Sequence, residues 1–271
     1  MSRKEVYLEE KDGFDPDEVI TEVDARWYPH EDGIYVPSTT TVLDEIKNRE
    51  LQMWIDLVGK ESANKIAYQA STNGTAVHDI CEDIARQLMF NGEASVSWLD
   101  EYGRKKFNSQ VWEGVIRFMD FVDNHVAEFL YVEEKLTSMK MFVGGRMDAI
   151  VRMNDDRVGL IDYKFSNALS PNYTVQTYIY EQLSEECLGI SVDFRANLWL
   201  KAKTRGADKT GKVIQGKKWQ LVEHTDPDRD AIVFKAAHDL FMDRFRTKKL
   251  KPEIHQYPAH IKITKNVTTN N

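Results

Sequence analysis

Apolar positions along the chain follow two different periods. Val77, Cys81, Ile84 and Leu88 recur at helical spacing, as do Val111, Val115, Phe118, Phe121 and Val122, and they predict helices over about 75–90 and 109–128. Another helical stretch is expected over roughly 50–70, and Pro37-Ser38-Thr39-Thr40-Thr41 leads into an apolar-periodic run around Val42, Leu43 and Ile46. From about 130 to 166 the period drops to two: FLYVEEKLTS, FVGGRMDAIVRM and RVGLIDYKFS read as three strands, with Asn154-Asp155-Asp156 as the turn between the last two. A helix at about 172–189, strands near RANLWLKA and KWQLVEH, and a final helix over about 226–247 opened by Asp226-Pro227-Asp228 complete the pattern. The fold class predicted is α/β, a mixed sheet of the α+β kind flanked by helices. No internal repeat or low-complexity stretch divides the chain. The expectation is a single domain over 1–271, with an acidic N-terminal arm bearing short strands (1–36), a helical region (37–128), and a core with the C-terminal region (129–271).

Composition narrows the classes. With 271 residues, 42% apolar and 11% aromatic, the chain can bury a sizeable core, and disorder is excluded as its dominant state. No run approaches the ~18 consecutive apolar residues of a membrane helix. The first residues lack an apolar signal core and are too acidic for a transit peptide, so a soluble cytoplasmic protein with no membrane partner is expected. Cys81 and Cys187 are the only cysteines, which excludes a disulfide framework and any four-thiolate zinc or iron–sulfur site. A net charge of −8 argues against a protein that coats nucleic acid nonspecifically, although residues 201–218 carry seven bases against one acid. Arg244, Arg246, Lys248, Lys249 and Lys251 add a second basic cluster. A solvated loop and an ordinary helix end explain both clusters as well as a phosphate track does.

The chemistry concentrates in the hairpin over 143–166. If residues 154–156 join the strands and Met153 pairs with Arg157, Asp148 falls directly opposite Asp162 and Arg146 opposite Lys164. Side chains two apart share a face, so all four would lie on one side of the sheet. Facing carboxylates destabilise a strand pair by up to about 1 kcal/mol when exposed and by more when buried. A hard cation such as Mg²⁺ or Mn²⁺ relieves that repulsion, keeps several waters and leaves positions for a phosphate. Lys164 would then orient or deprotonate an attacking water and neutralise charge on a phosphoryl oxygen. The competing reading is a surface hairpin whose acids are screened by Arg146 and Lys164.

Short motifs weigh between the two. Gly145-Arg146-Met147-Asp148 matches G-x-x-D, Asp162-Tyr163-Lys164 matches D-x-K, Gln176 to Tyr180 matches Q-x-x-x-Y, and Gly74 to His78 matches G-x-x-x-H. In this order and spacing the set resembles the RecB-like branch of the PD-(D/E)XK nuclease superfamily. Pro37 to Leu43, with the helix around Trp54, is similar to the phage-type and mitochondrial genome-maintenance-like exonucleases of that group. The matches run from about Pro37 to Tyr180, over half the chain.

The resemblance implies a restriction-endonuclease-like core with an N-terminal helical elaboration. It implies that Asp148, Asp162 and the backbone carbonyl of Tyr163 bind Mg²⁺ or Mn²⁺, that His78 is a further ligand, and that Lys164 is the catalytic lysine. Gln176 and Tyr180, one helical turn apart, would brace the site and contact DNA. Glu133, fifteen residues before Asp148, fits the acidic position of the preceding strand in competition with Glu134. Met147 stands where the superfamily name has proline and Asp162 where glutamate is usual; the cysteines of iron–sulfur relatives are missing, so no such cluster is expected. The implied activity is that of a metal-dependent deoxyribonuclease, an exonuclease of recombination, repair or replication. Its substrate would be single-stranded DNA or duplex ends, a recombination or replication protein would be its partner, and the host cytoplasm its location if a phage encodes it. The alternative is a noncatalytic DNA-binding or interaction module on a nuclease-like scaffold.

Other features read blandly. Glu82 is expected to pair with Arg86 rather than touch metal, and Trp54, Trp112, Trp199 and Trp219 to act as core or interface anchors. Gly206 to Val213 spells a partial P-loop, but Val213 replaces the hydroxyl residue and a strand-like pattern follows where a helix must begin, so a basic hairpin tip is expected there.

Overall fold

The computed structural model describes residues 20–21, 25–46, 49–201 and 219–248. Its elements run β1 (Ile20–Thr21), β2 (Arg26–His30), β3 (Ile34–Pro37), α1 (Thr39–Leu43), α2 (Arg49–Val58), α3 (Lys60–Asn91), α4 (Ser109–His125), β4 (Val126–Ser138), β5 (Val143–Met153), β6 (Val158–Lys164), α5 (Asn172–Leu188), β7 (Phe194–Trp199), β8 (Gln220–Glu223) and α6 (Pro227–Lys248). The partial P-loop, most of the first basic cluster, and Lys249 and Lys251 lie outside the described residues.

Strands β4 to β8 form one five-stranded sheet in sequence order. It is mixed: β6 and β7 are parallel, as the intervening crossover helix α5 requires, and every other neighbouring pair is antiparallel. The β5–β6 register is the one expected, with Ala149 facing Ile161 and Arg152 facing Val158, and the Met153 N–H reaching the Arg157 carbonyl at 2.8 Å. Helices cover both faces, so β7 is an almost wholly buried run rather than an alternating one.

One face packs against α3 and α4. The α4 stripe of Val111, Val115, Phe118, Phe121 and Val122 is buried as its spacing predicts, and the Asn108 side chain caps the helix by accepting from the Val111 N–H at 3.0 Å. The other face packs against α5 and α6, and the N-terminal β-meander joins it. Trp27 and Tyr35 are buried there, with the Trp27 ring tilted against Phe245 of α6 at 5.9 Å, so residues 26–37 contribute large core side chains. Their end is tied to the main sheet by a parallel bridge from Ser38 to Gly144.

The helical region departs from the sequence reading in one respect. Two helices meeting between 70 and 75 are expected, whereas α3 runs unbroken from Lys60 to Asn91 and the break falls at Gly59, where φ is +83°. Tertiary bonds carry the helix through Ser71-Thr72-Asn73-Gly74: Asn73 is buried, donates to Gln110 at 3.3 Å and accepts from Asn108 at 2.9 Å. Among the described residues no helix is long and apolar enough to cross a membrane.

Candidate metal centre

A cleft of about 410 Å³ opens where α3, β4, β5, β6, α5 and the start of α1 converge, and its walls include His78, Glu133, Asp148, Asp162, Lys164 and Gln176. Each arrives by a simple local rule. His78 and Glu82 sit one turn apart on the same face of α3. Asp148 occupies β5 one residue beyond the last β5–β6 pair, Ala149 with Ile161, so the strands part where the acids begin. In the gap, the Asp148 Oδ2 accepts the Tyr163 backbone N–H at 2.5 Å, a side chain standing in for the missing ladder bond.

Glu133 completes the set from β4. The pairs Val132 with Ala149 and Glu134 with Met147 place it opposite Asp148, and its φ of +55° is left-handed, a backbone that non-glycine residues rarely adopt inside a strand. Donor atoms of His78, Glu133 and Asp148 all lie within 4.8 Å of one another, and His78 Nδ1 is 3.6 Å from Asp148 Oδ2. Of Glu133 and Glu134, it is Glu133 whose carboxylate joins the cluster.

Asp162 is buried to 1% exposure and lies beside this trio rather than within it. Its Oδ2 receives the Lys164 ammonium at 2.6 Å and the Asn197 side-chain amide at 2.7 Å. Lys164 also donates to Gln176 Oε1 at 3.2 Å, and the Gln176 amide donates to the Tyr180 hydroxyl at 3.2 Å, so Gln176 reaches the lysine directly and Tyr180 only through Gln176. Gly145 makes that possible: a Cβ there would overlap the Tyr180 ring and come within 3.1 Å of Thr39 Oγ1. Tyr163 turns its ring the other way, edge-on to Phe118 at 5.0 Å.

Two expected cross-strand pairings, Asp148 with Asp162 and Arg146 with Lys164, fall beyond the β5–β6 ladder, which ends at Ala149 with Ile161. Arg146 does not pair with Lys164, because the β5–β6 ladder has ended before it; it faces Lys135 on β4, and its guanidinium binds Glu133 at 2.5 Å and Glu82 at 3.4 Å. Glu82 keeps its expected bond to Arg86 at 3.0 Å and gains Arg146 as a second partner. Asn197 and His224 carried no motif that would have marked them in the sequence; only the folded sheet brings them behind Asp162.

The electrostatics is that of too much negative charge in too little water. Burial, aided by the charge of Asp148 and opposed by Arg146, pushes the Glu133 carboxyl up to about 8. Burial likewise raises Asp162 to about 6 even with Lys164 against it. The burial of Lys164 alone would lower it, but Asp162 and Asp148 outweigh that effect and hold it as an ammonium. Such groups, raised and crowded in a cleft beside an imidazole, suit a hard divalent cation.

No protein-family model matches the chain, and no curated protein matches its sequence. Among solved structures, one described as "Putative exonuclease" from Eubacterium rectale aligns with 63% of this chain and 67% of its own at 11% identity, with a TM-score of 0.33. The crystal structure of SSO0001 aligns with 61% of this chain and 74% of its own at 13% identity, with a TM-score of 0.26. Scores this low leave both likenesses without weight for fold or function.

Proposed function

We propose that the chain is a Mg²⁺- or Mn²⁺-dependent deoxyribonuclease that hydrolyses phosphodiester bonds, acting as an exonuclease in recombination, repair or replication. The observation that carries this reading is the convergence of His78, Glu133 and Asp148 donors within 4.8 Å in the cleft that also holds the Lys164–Asp162 pair. The residues fit a cation on their own chemistry: one imidazole and two carboxylates, one of them in strained backbone and made costly to ionise by burial. Asp148, Glu133 and His78 would hold the ion, with Asp162 Oδ1 and the Tyr163 carbonyl as further ligands. Bound there, a divalent cation polarises a phosphoryl oxygen and makes a nearby water more acidic.

The chain's own groups do the rest. Lys164, an ammonium steadied by Asp162 and Gln176, neutralises charge that builds on the phosphoryl group and orients the attacking water. Gln176 holds Lys164, Tyr180 holds Gln176, and both border the path of the DNA strand. Arg26, Lys135 and Arg146 at the cleft wall supply positive charge for a polyanion in a molecule whose net charge is −8. Labelled linear and circular DNA, single- and double-stranded, incubated with Mn²⁺ tests the reading. The expected result is degradation of linear DNA that stops in EDTA and in Lys164→Ala, while that variant still binds DNA. Cleavage that persists in Lys164→Ala or in EDTA contradicts the mechanism, and Mn²⁺ binding without cleavage of any substrate favours a noncatalytic scaffold.

A further inference from the structure

Behind Asp162, away from the cleft, a second layer of polar side chains sits inside the sheet. Asn197 is fully buried on β7, in parallel register beside Asp162. Its Nδ2 donates to Asp162 Oδ2 at 2.7 Å, and its Oδ1 lies 2.8 Å from His224 Nε2. His224 follows β8 and is fixed by its own backbone N–H, which donates to the Arg195 carbonyl at 2.9 Å. Two neighbouring strands, β6 and β7, and the residue that follows β8 thus contribute one group each to a single chain of hydrogen bonds.

The direction of that chain is dictated by what each atom can do. A carboxylate accepts only, so Asn197 must turn its NH₂ toward Asp162; its Oδ1 then needs a donor, and His224 must carry a proton on Nε2. A flipped amide would set two oxygens against each other at 2.7 Å. Both contacts to Asp162, from Lys164 and from Asn197, fall on Oδ2, and neither engages Oδ1. Burial, with the charge of Arg195 adding, lowers His224 to about 4, so the imidazole rests neutral behind the acids.

From this geometry we infer that Asn197 and His224 are positioning residues for the metal centre: His224 fixes the Asn197 amide, and Asn197 fixes the Asp162 carboxylate with Oδ1 presented as a cation ligand. The inference rests on the metal-dependent reading of the cleft. Outer partners of this kind set the orientation of a ligating carboxylate, and their loss costs about 10- to 100-fold in metal affinity. Neither residue touches substrate, so the loss belongs in metal binding and turnover and not in DNA binding.

Calorimetric titration of the full chain with Mn²⁺, paired with kcat and KM on linear DNA, tests this. Asn197→Leu, which removes the amide at nearly constant volume, is expected to weaken Mn²⁺ about 10-fold or more and to lower kcat, with KM for DNA within about twofold. His224→Phe should shift both in the same direction, and His224→Gln, which restores an N–H donor, should recover most of the loss. The histidine pair decides the matter even if Asn197→Leu does not fold, because a merely structural role would not distinguish Gln from Phe in Mn²⁺ affinity. Equal Mn²⁺ affinity in wild type and the folded variants overturns the positioning role and leaves the nuclease reading intact. A wild-type chain that binds no Mn²⁺ overturns that reading, and the role with it.

Discussion

Glu133 shows how a single residue is held against its preferences. Its backbone is left-handed, which costs a non-glycine residue on the order of 1–3 kcal/mol, and its carboxyl is buried opposite Asp148. In the folded chain its pKa is about 8 against an ordinary 4.5, so the native state keeps a proton that the unfolded chain releases. The sign follows from linkage. The contribution of Glu133 to metal-free stability is full below pH 4.5 and is lost as pH rises toward 8. Glu133→Gln removes that charge in a similar shape. Above pH 8 in EDTA it should raise the melting temperature, by on the order of 1–2 kcal/mol or roughly 2–6 °C, while cutting the further rise that Mn²⁺ gives. Thermal unfolding followed by circular dichroism reads both; a lower melting temperature in EDTA would show that Arg146 had been neutralising Glu133 after all.

At the scale of elements, the site is a matter of which strand ends meet which helix faces. Gly145 lets the α5 face carrying Gln176 and Tyr180 lie against β5, and the Thr39 hydroxyl at the start of α1 donates to the Gly144 carbonyl at 3.1 Å. Gly145→Ala should push Tyr180 outward, break its bond to Gln176 and destabilise the fold by about 1–3 kcal/mol. Melting temperature and cleavage rate check this together, and a variant unchanged in both would mean that α5 shifts without consequence. Much of this was legible in the chain because strand period and turn chemistry are local: Asn154-Asp155-Asp156 set the hairpin register as far as Ala149 with Ile161, one residue short of Asp148 and Asp162. What stayed hidden is long-range. Nothing near Asn197 announces that it will lie beside Asp162, since that depends on a parallel crossover through α5. Nor does the sequence around Ser71 to Gly74 reveal that Asn108 and Gln110 will hold α3 straight.

For the whole molecule, the cleft is lined from both layers, by His78 of α3 and Gln176 of α5: α3 and α4 pack on one face of the sheet, α5, α6 and the N-terminal meander on the other. An ion held by His78 of α3 together with Glu133 and Asp148 of β4 and β5 would fasten a helix of the first layer to the sheet, so its binding should be felt globally. A ligand that binds only the folded state stabilises it by about 2.7 kcal/mol at 100 times its dissociation constant, which for a domain of this size is roughly 5–10 °C. Protons compete for the same oxygens. With Glu133 at about 8 and Asp162 at about 6, a fixed Mn²⁺ concentration should raise the melting temperature more at pH 8 than at pH 6, even though Glu133 and Asp162 contribute less to metal-free stability at pH 8. The two trends run in opposite directions, and that opposition separates a cation seated among buried acids from one loosely attracted to a surface of net charge −8. Differential scanning calorimetry with and without Mn²⁺ at the two pH values measures it, and a Mn²⁺ shift as large at pH 6 as at pH 8 would place the ion somewhere other than among Glu133, Asp148 and Asp162.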